Sequence, residues 1–358
     1  MNRRDVLRTL ALALGGAGAL AGSAARAFSP PPGRARWRLA LDWPPELDLY
    51  AAGAFRFVRQ VSLLTESRLA LDARVAPEGA APGGAAALVL AGEADCAHLC
   101  ASALADRVPA LEWFAGVPFG LDSRGLGIWL YRMGGLALLR EALLPLGLYG
   151  WPLGDAGPGV FAWSRRPLAG SGPDALAGLA LTARGLAAEV LGRAGARVSA
   201  APSGGGAALA RVLERGELDC AAWHGAHHEA AAGLPGVAPH GLGPGWQAPG
   251  RRMLLVVRRE AYEALPAVVR KIFAAAVVQA DHELTLAVAA ANARALAALA
   301  AAGRTVAPLP PALVGRLRAL SGAVAAEGAG ADALVARVRA GHDAALHAVQ
   351  ALGPVLTP

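Results

Sequence analysis

Lysine is nearly missing from this chain. Of its 34 Lys and Arg residues in 358 positions, one, Lys271, is a lysine. No glycine-rich loop ends in Gly-Lys-Ser/Thr, which excludes a P-loop. The arginines are scattered and form no basic stripe, so nucleic acid is not implied as a partner. Cysteine is scarce too: Cys96, Cys100 and Cys220 are an odd count. Cys96, His98 and Cys100 would share one face of a strand, but residues i and i+4 then lie about 13 Å apart, too far to grip one zinc ion. All three cysteines read as small buried residues. No serine stands in a Gly-x-Ser-x-Gly setting. No Glu-x-x-His follows the adjacent pair His227-His228, so no metalloprotease motif is present. Gly154-Asp155-Ala156-Gly157-Pro158-Gly159 has the wrong glycine order for a dinucleotide fingerprint. These absences together argue against an enzyme.

What is present begins with an export signal. Arg3-Arg4 precede an apolar run from Leu10 to Leu20 and a small-residue cleavage site, Ala25-Arg26-Ala27. The run is too short to span a bilayer. Arg3-Arg4 with Leu7 resembles a twin-arginine signal, with Val6 in place of the usual Phe, and no cysteine follows to carry a lipid. Removing residues 1–27 lowers the net charge from +7 to +4. The mean hydropathy of +0.40 owes much to alanine. A chain of this length can build two domains, each with a core.

The most informative stretch is Leu213 to Gly225. A helical run ends at Gly216, Glu217 to Trp223 reads as a short strand, and Trp223-His224-Gly225 is the loop beyond its carboxyl end, where ligands of open α/β sheets sit. Val89 to Ala97 repeats the pattern Gly-Glu-x-Asp-Cys-Ala. Two copies, with Gly92 and Gly216 124 residues apart, suggest two similar lobes, although an Ala/Gly-rich chain also produces such matches by chance. Trp37–Trp43 and Arg68–Val75 read as strands around a helix over 49–64, whose core stripe is Phe55, Val58, Val61 and Leu64. A further helix opened by Pro82-Gly83-Gly84 completes a β-α-β-α-β run that fits a parallel sheet. In the second half, Val160–Ser164, Ala180–Ala183 and Arg197–Ala200 read as strands, with a helix over 186–194. Arg252–Arg259 is a strand that could cross back to the first sheet. Residues 267–302 are helical without a glycine or proline and would reach about 54 Å, longer than one lobe. The tail over 311–351 is helix broken at Gly328-Ala329-Gly330.

In this order the motifs resemble the periplasmic solute receptors of TRAP transporters, the DctP type, and within them the 2-oxo acid branch that binds a carboxylate with a cation. The resemblance runs over nearly all of the mature chain. It rests on Trp43-Pro44, Val117-Pro118-Phe119-Gly120-Leu121, Trp129-Leu130-Tyr131 with Gly134-Gly135-Leu136, Gly185-Leu186 with Glu189-Val190-Leu191, Leu213-Glu214-Arg215-Gly216, Trp223, Pro244-Gly245-Trp246 and Arg259-Glu260-Ala261-Tyr262. It implies a two-lobed α/β periplasmic-binding-protein-like fold with a hinge and a long spanning helix. The expected division is lobe I over 28–150 with a return strand in 251–265, lobe II over 151–250, and spanning helix and tail over 266–358. The implied function is to bind a small organic anion by lobe closure and present it to the membrane permease subunits. A receptor-like protein that has lost its cargo and serves as an interaction or sensory subunit is the alternative.

The family's binding residues do not carry over. Its carboxylate-pairing arginine falls at Thr182, and its oxygen donors to the cation fall at Gly159, Ala222 and Ala248, so no sodium or calcium is expected at that position. The tyrosine pair of the first lobe becomes Ser102-Ala103, while His98 is kept. Arg184 lies two residues beyond Thr182, on the same strand face, and is the arginine that could pair bidentately with a carboxylate, unless it is a solvent-facing loop residue. Trp43, Trp223, Trp246 and Gln247 complete the expected ligand-binding set; the two later tryptophans are either an aromatic wall or core. His224, His227, His228 and Glu229 read as a solvated loop, with a transition-metal site the alternative.

Overall fold

The first strand, β1 (Ala35–Leu41), pairs parallel with β2 (Leu69–Val75) on one side and β3 (Cys96–Cys100) on the other. This is a computed structural model, and it describes residues 34–77, 84–157 and 159–351. The export signal and the Pro82-Gly83 helix opening lie outside the described residues.

Helix α1 (Asp48–Leu64) connects β1 to β2, and α2 (Gly84–Leu90) leads into β3. The buried line of α1 is Tyr50, Ala54, Phe57 and Val61. Phe55 and Leu64, expected in the core, are instead exposed. The reason is the helical period: successive steps of three rotate about 60° off a fixed face, whereas alternating steps of four and three stay on it. Past β3 come α3 (Glu112–Ala115), α4 (Ser123–Arg132) and α5 (Gly135–Leu143), then β4 (Leu148–Asp155).

The chain now enters a second sheet with β5 (Ala162–Ser164), β6 (Ala180–Thr182), α6 (Gly185–Arg193), β7 (Arg197–Ser199), α7 (Gly205–Arg215), β8 (Cys220–Ala221), α8 (Ala226–Ala231) and β9 (His240–Gly243). The stop of α7 at Gly216, in a left-handed conformation, agrees with its reading as a C-terminal cap. The strand expected over 217–223 is shorter, with only Cys220–Ala221 in the ladder.

β10 (Arg252–Arg258) returns to the first sheet, antiparallel to both β3 and β4. The strand orders are β2-β1-β3-β10-β4 and, with β11 (Val306–Pro308) at its edge, β11-β9-β5-β8-β6-β7. Between β10 and β11 runs α9 (Ala267–Ala301), 35 residues long. Its buried positions, from Val269 and Phe273 through Leu284 to Asn292, keep to a three-and-four spacing. The helix lies so close to α1 that a Cβ on Gly53 would stand 2.6 Å from Leu284 Cδ1. The tail forms α10 (Pro311–Ala331) and α11 (Ala333–Gln350). The break falls at Asp332 rather than at Gly328-Ala329-Gly330. Asp332 caps α11, its Oδ1 accepting from the amides of Leu334 and Val335 at 2.7 and 3.1 Å. Glycine weakens a helix without ending it, whereas a residue that satisfies free amides starts a new one.

A buried ion network ties the last two strands of the first sheet to the long helix. Arg252 Nη1 donates to Asp281 Oδ1 at 3.1 Å, and its Nε lies 3.5 Å from Asp155 Oδ2. Asp281 also accepts from the Gly154 amide and the Tyr131 hydroxyl. Asp155 accepts from Ser123 Oγ at 2.6 Å and the Gly157 amide at 2.8 Å. Side chains from α4, β4, β10 and α9 are thereby tied into one charged cluster inside the protein.

Candidate ligand site between the two sheets

The loop after β8 delivers Trp223, His224 and Gly225 to the junction between the sheets. Gly225 has φ +92°, and a Cβ there would lie 2.8 Å from Asn292 Nδ2. Only glycine permits that conformation and that approach. Asn292, on α9, ties the loop down: its Oδ1 accepts from the His227 amide at 3.0 Å and its Nδ2 donates to Ala156 O at 3.1 Å.

The histidine cluster expected to be a solvated loop is not one. It begins a short helix, α8, and turns inward, with His228 and Glu229 fully buried. Glu229 accepts from Trp163 Nε1 and from the Trp223 amide, both at 2.9 Å, and burial pushes its carboxyl above the ordinary range. His228 Nδ1 donates to His224 O at 3.1 Å. Helix formation set α8 against the long helix α9, and that packing buried what composition alone suggested was wet.

From the loop after β1, from α1 and from β3 come Trp43, Tyr50 and His98, each almost wholly buried. The Tyr50 hydroxyl donates to His224 O across the junction at 3.0 Å. Edge-to-face contacts at 5.1, 5.7 and 5.2 Å run from Trp43 to Tyr50 to His224 to Trp223. His98 lies beneath this row with both ring nitrogens engaged. Trp43 Nε1 donates to its Nδ1 at 2.7 Å, and its Nε2–H donates to Leu153 O at 2.8 Å. It therefore has no free nitrogen for a ligand, and burial lowers its pKa to about 4.

Arg251 is the cation of this junction. Its Nη2 donates to Trp223 O at 3.3 Å, while its buried Nε has no partner among the described residues. Its charge acts on Tyr50, His224 and Glu229, which come from both halves of the molecule. A half-buried guanidinium with donors to spare, walled by aromatics, is an arrangement that takes a small anion.

The other expected residues are placed less centrally. Trp246 is buried between Phe119 and Phe161, at ring distances of 5.2 and 5.8 Å, and is part of the core. Gln247 Nε2 donates to Val160 O and Phe161 O, leaving its buried Oε1 without a partner among the described residues. Ser102 Oγ donates to Cys100 Sγ at 3.3 Å. Thr182 closes β6, half-buried at the edge pairing with β7. Arg184, next to α6, is exposed, and the group that feels its charge is Glu112 on α3. Gly159 abuts Gly225, and Ala248 abuts Gly116 so tightly that a Cβ on the glycine would lie 2.7 Å from the alanine's. Neither position carries a side-chain oxygen. A separate cavity of about 180 Å³ opens between Phe119, Leu186, Arg318 and His342, away from Arg251.

Two separate sheets, between which the chain passes after β4 and back before β10, bridged by one long helix and with an aromatic and cationic junction between them, define a two-lobed α/β solute receptor. The chain belongs to the DctP family, described as bacterial extracellular solute-binding protein, family 7, whose pattern matches residues 44–328. It is a periplasmic receptor of the TRAP type, the class that works with membrane permease subunits. The monocarboxylate 2-oxoacid-binding periplasmic protein of Nostoc sp. is 29% identical over 340 residues, covering 94% of this chain and 92% of that one. A TRAP solute-binding protein from Colwellia psychrerythraea, with bound calcium and pyruvate, superposes with a TM-score of 0.84 at 22% identity, over 90% of this chain and 97% of its own. One from Pseudoalteromonas atlantica, with bound sodium and pyruvate, gives 0.83 at 25% identity over the same shares.

Proposed function

We propose that this receptor binds a small organic acid of the monocarboxylate or 2-oxo acid class between its lobes and hands it to a TRAP permease, performing no chemistry on it. Export by the twin-arginine route and the lobe division read from the sequence belong to the same proposal. Arg251 carries it. A carboxylate leaving water must be met by charge-assisted hydrogen bonds, or its desolvation is not offset. Arg251 has a donor in the junction that no described residue engages, next to Tyr50 and Trp223, and takes the role first expected of Arg184. The cargo would touch both lobes at once only when they close, so binding shifts the molecule toward the closed form.

Sodium and calcium accompany pyruvate in the two solved relatives. Here the corresponding positions Gly159, Ala222 and Ala248 offer no side-chain oxygen, and hard cations need several. We read Arg251 as supplying the positive charge that the ion supplies elsewhere. The missing donors also support the second reading, a receptor that has lost its cargo.

The test is calorimetric titration of the mature chain with pyruvate and a panel of small carboxylates. Arg251→Ala should cost about 2–5 kcal/mol of binding, as expected when one partner of a buried charge pair is truncated. Arg184→Ala should cost less than about 1 kcal/mol, as for a rim charge. The reverse ranking would return the role to Arg184. No heat with any acid would leave the cargo-free reading in its place.

A further inference from the structure

The histidine cluster does something the cargo reading does not require. Three side chains converge at the outer end of the junction: Asp48 from the first turn of α1, and His227 and His228 from α8. His227 Nε2 lies 3.1 Å and His228 Nε2 3.3 Å from the same carboxylate oxygen, Asp48 Oδ1. The three ligand atoms all lie within 4.8 Å of one another.

Hydrogen bonding fixes the chemistry of this meeting point. His224 O accepts from His228 Nδ1, so the neutral ring of His228 carries its proton on Nδ1. Its Nε2 is then a bare lone pair, buried, without a hydrogen-bond partner among the described residues and aimed at a carboxylate oxygen. Asp48 Oδ1 accepts from the Leu49 amide at 2.8 Å and is hydrogen-bonded to His227 Nε2 at 3.1 Å, whereas the lone pair of His228 faces that oxygen directly and is relieved only by a proton or a metal ion between them. Both Nε2–Oδ1 separations also match a coordination edge. Ligands at 2.0–2.1 Å around a tetrahedral zinc ion stand about 3.3 Å from each other. The surroundings match as well, because metal-binding imidazoles characteristically donate their second nitrogen to a carbonyl or carboxylate. The Tyr50 hydroxyl donates to that same His224 carbonyl, and the Asn292 amide holds the backbone of His227.

We propose that Asp48, His227 and His228 form a binding site for a divalent transition metal of the zinc class, with one ligand from the first lobe and two from the second. Two imidazoles and one carboxylate suit zinc, cobalt or nickel and do not suit sodium or calcium. The site is therefore distinct in chemistry from the cation position at Gly159, Ala222 and Ala248. Three protein ligands leave a fourth position for water. Since Asp48 and the histidines meet only when the lobes are together, the metal acts as a clasp that favours the closed receptor. Any ligand that binds one state of a two-state equilibrium better shifts it by that difference.

The test uses the mature chain without a histidine tag, stripped by chelator, with no organic acid present. Cobalt is added first and followed by visible absorption, and zinc is then added in competition. One equivalent of cobalt should give the intense bands of four-coordinate geometry, and zinc should abolish them. Loss of an outer partner already weakens metal sites 10–100-fold, so Asp48→Asn and His227→Gln should each weaken uptake at least tenfold. Asp48 is exposed in the first turn of α1, so Asp48→Asn leaves the fold intact and decides the matter even if a histidine variant misfolds. In small-angle scattering, zinc should shrink the wild-type chain and leave the Asp48→Asn chain unchanged. Absence of uptake at micromolar metal, or uptake that Asp48→Asn does not weaken, would overturn the proposal. Because the cobalt signal needs no cargo, its failure says nothing for or against Arg251.

Discussion

His98 gives the sharpest prediction, because a single proton there has a fixed place. In the native protein the ring is neutral, accepting from Trp43 Nε1 at 2.7 Å and donating to Leu153 O at 2.8 Å. A second proton would set N–H against N–H at that short distance, in a fully buried site. Its pKa accordingly falls from 6.5 to about 4, chiefly through burial. Between those values the unfolded chain binds the proton and the native chain does not. The stabilisation is thus complete above pH 6.5 and is lost as the pH falls through 6.5 toward 4. The fall from 6.5 to about 4 corresponds to about 3 kcal/mol. Asp42 works in the opposite sense over much the same window. Burial raises its carboxyl to about 6, so its protonation favours the native state as the pH falls. The raw stability curve would hide both effects, and the comparison must be with His98→Gln, whose amide keeps one acceptor and one donor. Urea unfolding of the two proteins at pH 7.5, 6, 5 and 4 should show the wild-type advantage shrinking by about 3 kcal/mol. A difference constant across the series would refute the reasoning, as would an imidazole that titrates near 6.5 in the native protein by NMR.

Three further predictions come from the same geometry. Asp281→Ala leaves Arg252 buried with Asp155 as its remaining carboxylate, and should cost about 3–5 kcal/mol in chemical denaturation, as when a buried pair is broken. Gly225→Ala forces a side chain into a backbone region reserved for glycine and against Asn292, and should cost about 1–3 kcal/mol and weaken carboxylate binding. Pyruvate affinity measured in potassium buffer should be the same after adding sodium or calcium, and a tenfold gain with either would show that the ion position is still in use.

Much of the scaffold was legible in the sequence. The parallel β1-β2-β3 run, the return of β10 and the unbroken helix α9 follow from hydrophobic period and from where glycine and proline are absent. The phase of α1 was misjudged because Phe55 and Leu64 are apolar enough for a core they do not enter, and only packing against α9 reveals that Tyr50 and Phe57 do. The site was less legible. Trp223 and the loop past β8 could be placed from the strand-end rule, but His98 is fixed from two sides by Trp43 and Leu153, 55 residues away on either side. Arg251 stands at the entry to an apolar strand beside a second arginine. That pairing was the available signal, since charge at the mouth of a buried strand needs a partner or a ligand. Its significance depends on Tyr50 and His224, which no local pattern connects to it.

The long helix has a mechanical consequence. Its first-lobe seat begins at Val269 and Phe273, and Asn292, which positions the loop of the second lobe, stands 19 residues beyond Phe273, about 28 Å along the axis. Over that lever arm, a bend of about 5° would carry Asn292 sideways by about 2.4 Å, given the same rise per residue, enough to break both of its hydrogen bonds. The geometry of the junction therefore depends on the stiffness of a rod whose near end is seated on Trp37 and Trp151. In a chain with 45 glycines and 25 prolines, these 35 residues contain neither. A proline placed on an exposed face at the middle of the rod, touching nothing in the site, would slacken the receptor as surely as a substitution in the cleft.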